Sequence, residues 1–183
     1  MTIIIVLGES CSITYELERL QLKGPTSLFE WHASPFFNDV LDVIVTVIRG
    51  DNPVLSKSHE NNWLLGGISI RTSHYNHTDY SAIINRRIKR FRDDVLSSDN
   101  ILFVREQVIQ PTVDEVERFY SIMSTYIPPD RFKLLILSMR DHTTVTHPCL
   151  VHEKFDELTN LQSLEKCFGP TLVKKARKAM EFE

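Results

Sequence analysis

Cysteine is scarce in this chain, with three residues at positions 11, 149 and 167 of 183. An odd number at such wide spacing does not build a disulfide framework. It points to a reducing, intracellular compartment, and a cytoplasmic location is the expectation. No CxxC pair and no HExxH sequence occurs, which removes two common short metal-binding patterns. No apolar run approaches the ~20 residues that a membrane-spanning helix needs, so no membrane partner is expected. The first residues lack the basic stretch of a secretory signal. Positive charge is also short: 21 Lys and Arg stand against 24 Asp and Glu, a net of −3. That argues against a general nucleic-acid binder and leaves room only for a local basic site. Internal repeats and low-complexity tracts are absent. What is present, 42% hydrophobic and 25% charged residues, suits a globular chain able to bury a large core, read as one domain over residues 1–183.

The pattern along the chain alternates in type. Thr2–Leu7 reads as a buried strand. From Cys11 to about Gln21, Ile13, Leu17 and Leu20 share one helical face, and Gly24-Pro25 breaks it. Phe37 to Ile48 reads as a helix ended by Arg49-Gly50. "DNPVLSKSHENN" reads as loop and "WLLGGISI" as a short strand or turn. Ser81 to Ser97 forms a helix with Ile84, Ile88, Phe91 and Val95 on one stripe. Asn100–Arg105 is a strand, Val113 to Tyr126 a helix, and Phe132–Met139 a second clear strand. "CLVHEKF" suggests a further strand, and Gly169-Pro170 opens a last helix to about Met180. This order predicts a single three-layer α/β domain with a mostly parallel central sheet flanked by helices. Sites in such sheets form beyond the carboxyl ends of the strands. Cys11, Glu106 and the run Arg140-Asp141-His142 would lie along that edge.

Cys11 follows the first strand and a glycine, Gly8, which would let the chain turn sharply. In the first turn of a helix, unpaired backbone N–H groups favour thiolate and can hold an oxyanion, with Ser12 supplying one of them. The competing reading is a small buried hydrophobe. A thiol nucleophile needs a base and the base needs an orienting partner. His74 and His77 lie in a polar segment and suit the role of base. The competing reading makes both exposed loop histidines. Asp79, Glu30 and Asp141 are the candidate orienters, and Asp79 is nearest in sequence. His74, His77, Asp79 and Glu30 lack metal-ligand spacing, so neither metal nor cofactor is expected.

Arg86, Arg87, Lys89, Arg90 and Arg92 crowd one helix. Arg86 and Lys89 fall away from its apolar stripe and read as a solvated face. Arg87 and Arg90 flank the stripe, where they can bind an anion or pair with Asp93 and Asp94. Phe29, Trp31, Phe36 and Phe37 read as core rather than as a stacking platform.

The opening "VLGESCSITYELERLQLKGPTSLFEW" resembles that of a papain-like cysteine peptidase family found in bacteria and some viruses. The shared features are Leu7-Gly8-Glu9-Ser10-Cys11, Phe29-Glu30-Trp31 where the family has Phe-Asp-Trp, His74, Arg86-Arg87-Ile88-Lys89-Arg90-Phe91, and Phe103-Val104-Arg105. The resemblance covers roughly residues 3 to 140. It implies Cys11 as nucleophile, His74 as its base, and a peptide or acyl compound as substrate. The family's histidine is usually followed by Asp, and here Tyr75 stands there, with His77 and Asp79 close by. Two alternatives stand beside the hydrolase. One is an inactive structural or interaction protein that keeps the fold. The other is an acyltransferase on a phosphate-bearing donor held by Arg87 and Arg90.

Overall fold

The computed structural model of the protein describes residues 2–8, 12–19, 21–30, 34, 36–59, 62–66, 68–71, 80–107, 111–138 and 145–154. Four strands, β1 (Thr2–Val6), β5 (Asn100–Gln107), β6 (Phe132–Ser138) and β7 (Leu150–Lys154), form one sheet in the order β1-β5-β6-β7. Every neighbouring pair in it is parallel, with Ile4 opposite Leu102, Phe103 opposite Leu134 and Leu135 opposite Val151. Unbroken apolar runs such as "IIIV" and "LLIL" suit strands covered on both faces.

Side-chain alternation sorts the sheet residues into two cores. Ile5, Leu7, Ile101, Phe103, Leu134 and Ile136 join one cluster with helices α2 (Phe37–Arg49), α3 (Tyr80–Ser97) and α4 (Val113–Ser124). Val6, Leu102, Val104, Leu135 and Leu137 join the other with Ile13 and Leu17 of helix α1 (Ser12–Arg19). The chain is therefore α/β with a parallel sheet and helices on both of its faces. The Ile84, Ile88, Phe91 and Val95 stripe is buried as its period predicts, and Arg86 and Lys89 are exposed. Gly50 ends α2 with φ 104, donating to the Thr46 and Val47 carbonyls. Thr112 and Glu115 form a reciprocal cap on α4. Among the described residues, no helix is long and apolar enough to cross a membrane.

The main departure from expectation lies at 51–71. The segment read as loop carries β2 (Leu55–His59), and "WLLGGISI" carries most of β3 (Asn62–Leu65) and most of β4 (Ile68–Arg71). The three form a separate antiparallel sheet in the order β2-β3-β4. Ser56 and Lys57 are exposed, so β2 carries a single apolar anchor, Leu55, packed against the core, and is otherwise held by the backbone ladder to β3. β5 also continues past Arg105 to Gln107, so Glu106 lies inside a buried strand rather than beyond its end. Phe29 and Phe37 are core residues as expected, whereas Phe36 is exposed. The expected last helix, residues 170–180, is outside the described residues.

Candidate functional site

Parallel pairing sets the carboxyl ends of β1, β5, β6 and β7 along one edge. At that edge β1 ends at Val6, Leu7 extends the ladder with its N–H on the Val104 carbonyl at 2.8 Å, and Gly8 turns the chain with φ 80. Helix α1 begins at Ser12. A Cβ on Gly8 would come within 2.1 Å of Ser34 Oγ and 3.3 Å of the Phe29 carbonyl oxygen. Glycine is thus required here twice, for the backbone angle and for the close approach of Phe29 and Ser34.

Arg105 holds this turn. Its side chain is fully buried and carries a cation, so it must find acceptors. Nη1 donates to the Leu7 carbonyl at 2.9 Å, Nη2 to the Ser34 carbonyl at 2.8 Å, and Nε to Gln107 Oε1 at 2.9 Å. The guanidinium carbon lies 4.9 Å from the centre of the Phe37 ring. One side chain from β5 therefore ties the end of β1 to the segment packed against Gly8. The sequence reading used Arg105 only as part of a motif, and its signal was a charged residue within an otherwise apolar strand.

Glu30 is 2% exposed and belongs to a neighbouring cluster. Its Oε1 accepts the Ser27 N–H at 2.7 Å, and Oε2 lies 3.4 Å from Lys23 Nζ. That contact is an ion pair without hydrogen-bond geometry, since Oε2 has no hydrogen-bond partner among the described residues. Burial raises the Glu30 carboxyl above its ordinary range, against the Ser27 N–H and the charges of Lys23 and Arg87. For Lys23, burial acts to lower the ammonium, but Glu18 and Glu30 outweigh it and the net shift is upward. Lys23 also donates to Thr26 Oγ1 at 3.1 Å and pairs with Glu18 at 3.0 Å. Glu30 thus closes the 27–30 turn.

The two arginines proposed for an anion work on the same turn. Arg87 is 5% exposed and donates from Nη1 to the Glu30 carbonyl at 3.2 Å. Arg90 donates to the Thr26 carbonyl at 3.0 Å. Both brace the connection after α1 from α3, and Lys89 makes an exposed pair with Asp93. Cys11, His74, His77, Asp79 and Asp141 lie outside the described residues, as does Cys167.

Sequence reasoning missed a thiol–imidazole pair at the opposite edge of the sheet. His147 Nδ1 lies 3.1 Å from Cys149 Sγ and accepts the Cys149 N–H at 3.2 Å, while Nε2 is 3.7 Å from Glu117 Oε1. Burial pushes the Cys149 thiol up to about 12, and the Glu117 carboxylate adds to the rise. That thiol is neutral near pH 7 and is a poor nucleophile. The His-Pro-Cys spacing was the signal that could have revealed the pair. Among the described residues, no group of three His, Cys, Asp or Glu side chains could hold a metal ion.

No protein-family model, curated protein or solved structure matches the chain.

Proposed function

We propose that the chain is a cysteine-nucleophile hydrolase in which Cys11 attacks an acyl carbon. His74 takes the thiol proton as the sulfur–carbon bond forms and returns it to the leaving group. Water then cleaves the thioester and restores the thiol. N–H groups of residues 11 and 12 hold the oxyanion, and Asp79 orients the imidazole, with His77 supporting the segment. The observation that carries this reading is the turn after β1. A positive-φ glycine and a helix beginning at Ser12 bracket residue 11 in sequence, at the carboxyl edge of a parallel sheet. The resemblance to papain-like cysteine peptidases supports the same assignment, and the odd cysteine count supports an intracellular setting. The phosphate-donor alternative rests on Arg87 and Arg90, whose guanidinium groups are engaged with the 26–30 turn.

The test needs no substrate. The folded protein is treated with iodoacetamide at pH 7 and the modified cysteines are mapped by mass. Cys11 is expected to react well ahead of Cys149, and His74→Ala is expected to slow Cys11 by roughly tenfold or more. Labelling of Cys11 no faster than that of Cys149 overturns the proposal and brings forward the inactive interaction protein.

A further inference from the structure

The connection after α1 walls a cavity of about 520 Å³ beside β1 and the last turn of α3. Ile3, Ile4, Leu22 and Pro25 give it apolar walls, and Ser27 and Asp94 are polar points on them. The volume falls among those of small-molecule sites, roughly 300–1,000 Å³.

The wall is built to stay open. The Gln21 N–H donates to the Glu18 carbonyl and the Leu22 N–H to the Leu17 carbonyl, both at 3.0 Å, which closes the end of α1. Lys23 ties the next turn to Glu18, Glu30 and Thr26. Arg90 holds the Thr26 carbonyl from α3. With the segment fixed from both sides, the cavity is formed before any ligand arrives.

Two polar groups here have no side-chain partner among the described residues. Ser27 is 4% exposed and its hydroxyl makes no hydrogen bond, a costly state for a buried polar group. Asp94 is half-buried. Burial raises its carboxyl, against the charge of Arg90 and with that of Asp93, and no hydrogen bond contributes. The neighbouring charges are committed elsewhere. Lys23 is held by Glu18 and Glu30, Asp93 by Lys89 at 2.6 Å, and Arg90 donates to Thr26. The cavity therefore combines apolar walls with one hydroxyl acceptor and one carboxylate that lacks a cation.

We propose that this cavity is a binding site for a small primary aliphatic amine in its ammonium form, the alkyl chain lying against Ile3, Ile4 and Leu22 and the ammonium donating to the Asp94 carboxylate and the Ser27 hydroxyl. An ammonium carries three donors and no acceptor, which suits two acceptors and a ligand mouth open to water. The carboxylate disfavours an anionic ligand. A hard metal ion needs more oxygen ligands than these two side chains supply. The alkyl chain gains from the apolar walls what a bare ammonium ion cannot. The inference does not draw on the Cys11 reading and stands or falls apart from it.

The test titrates the full chain with hexylammonium chloride at pH 7 and follows backbone amides by NMR. Hexanol and ammonium chloride are the comparison ligands, one without the charge and one without the chain. The expected result is saturable shifts at Ile3, Ile4, Leu22 and Ser27 at millimolar hexylammonium, with both comparison ligands weaker by about tenfold. Asp94→Asn should bring hexylammonium down to the level of hexanol and leave hexanol unchanged. Absence of shifts at those four residues overturns the site. Hexanol binding as tightly as hexylammonium overturns the recognition of charge, and that comparison is made in the native protein whether or not the variant folds. Ammonium chloride binding as tightly overturns the role of the apolar walls. Equal loss of hexylammonium and hexanol in a folded Asp94→Asn chain overturns the assignment to Asp94.

Discussion

Replacing Gly8 by alanine tests whether the turn after β1 is as tightly built as it looks. Two penalties add. An L-residue at φ 80 is in the left-handed region, which costs roughly 1–2 kcal/mol. The new Cβ would also stand 2.1 Å from Ser34 Oγ, far inside contact distance. The Ser34 carbonyl is pinned by Arg105, so the segment cannot simply retreat, and overpacking of this kind costs about 1–3 kcal/mol. Gly8→Ala should therefore destabilise the protein by about 2–5 kcal/mol, read as a lower urea midpoint at an unchanged slope. The two parts separate in a double-mutant cycle. Ser34→Ala removes the oxygen that clashes but leaves the backbone angle, and the Phe29 carbonyl remains 3.3 Å away. The double variant should be less destabilised than the sum of the singles by about 1–3 kcal/mol. Strict additivity would show that the Ser34 contact is not what excludes a side chain. A single-variant loss below about 1 kcal/mol would refute the account of the turn altogether.

Two further outcomes follow from buried charges. Arg105→Met should lower stability by about 3–5 kcal/mol, since the Leu7 and Ser34 carbonyls and Gln107 Oε1 lose their donor. Arg105→Lys should lose less, because it keeps the charge but not the fork. Urea titration decides, and a Met variant within about 1 kcal/mol of the native protein would refute the brace. For Glu30 the sign is set by a carboxyl raised by burial. The folded state holds its proton to higher pH than the unfolded chain. Stability contributed by Glu30 is therefore present below the unfolded pKa and declines as pH rises through the folded one. Glu30→Gln should flatten that part of the thermal-stability profile, and an unchanged slope above the ordinary glutamate range would count against the shift.

Elements whose stability lies in apolar burial were legible in the sequence. "IIIV", "ILFV" and "LLIL" announce strands because both faces of the sheet are covered, and the period of α3 announces its buried stripe. β2 was illegible for the opposite reason: in "LSKSH" only Leu55 packs against the core, and the rest of its order comes from backbone pairing, which leaves no apolar pattern. Glu106 and Gln107 mark the same limit, since polar residues ending a strand look like an exit from the core and here are buried. For Arg87 and Arg90 the sequence shows charge but not the carbonyls of Glu30 and Thr26 that the two guanidinium groups meet. Gly8 could be singled out from its place after a strand, whereas its fit against Ser34 depends on a segment two dozen residues away.

The pairing of Thr2 with Asn100 has a consequence for how the chain is made. β1 leaves the ribosome before β5, its one strand neighbour among the described residues, which follows roughly 5 to 20 s later at ordinary elongation rates. Throughout that interval an apolar stretch of high β propensity stands without its sheet. Folding of this sheet on the ribosome is thereby governed by the arrival of β5. Truncation before β5 should yield a nascent chain that depends on chaperones, and one extended beyond β6 should not.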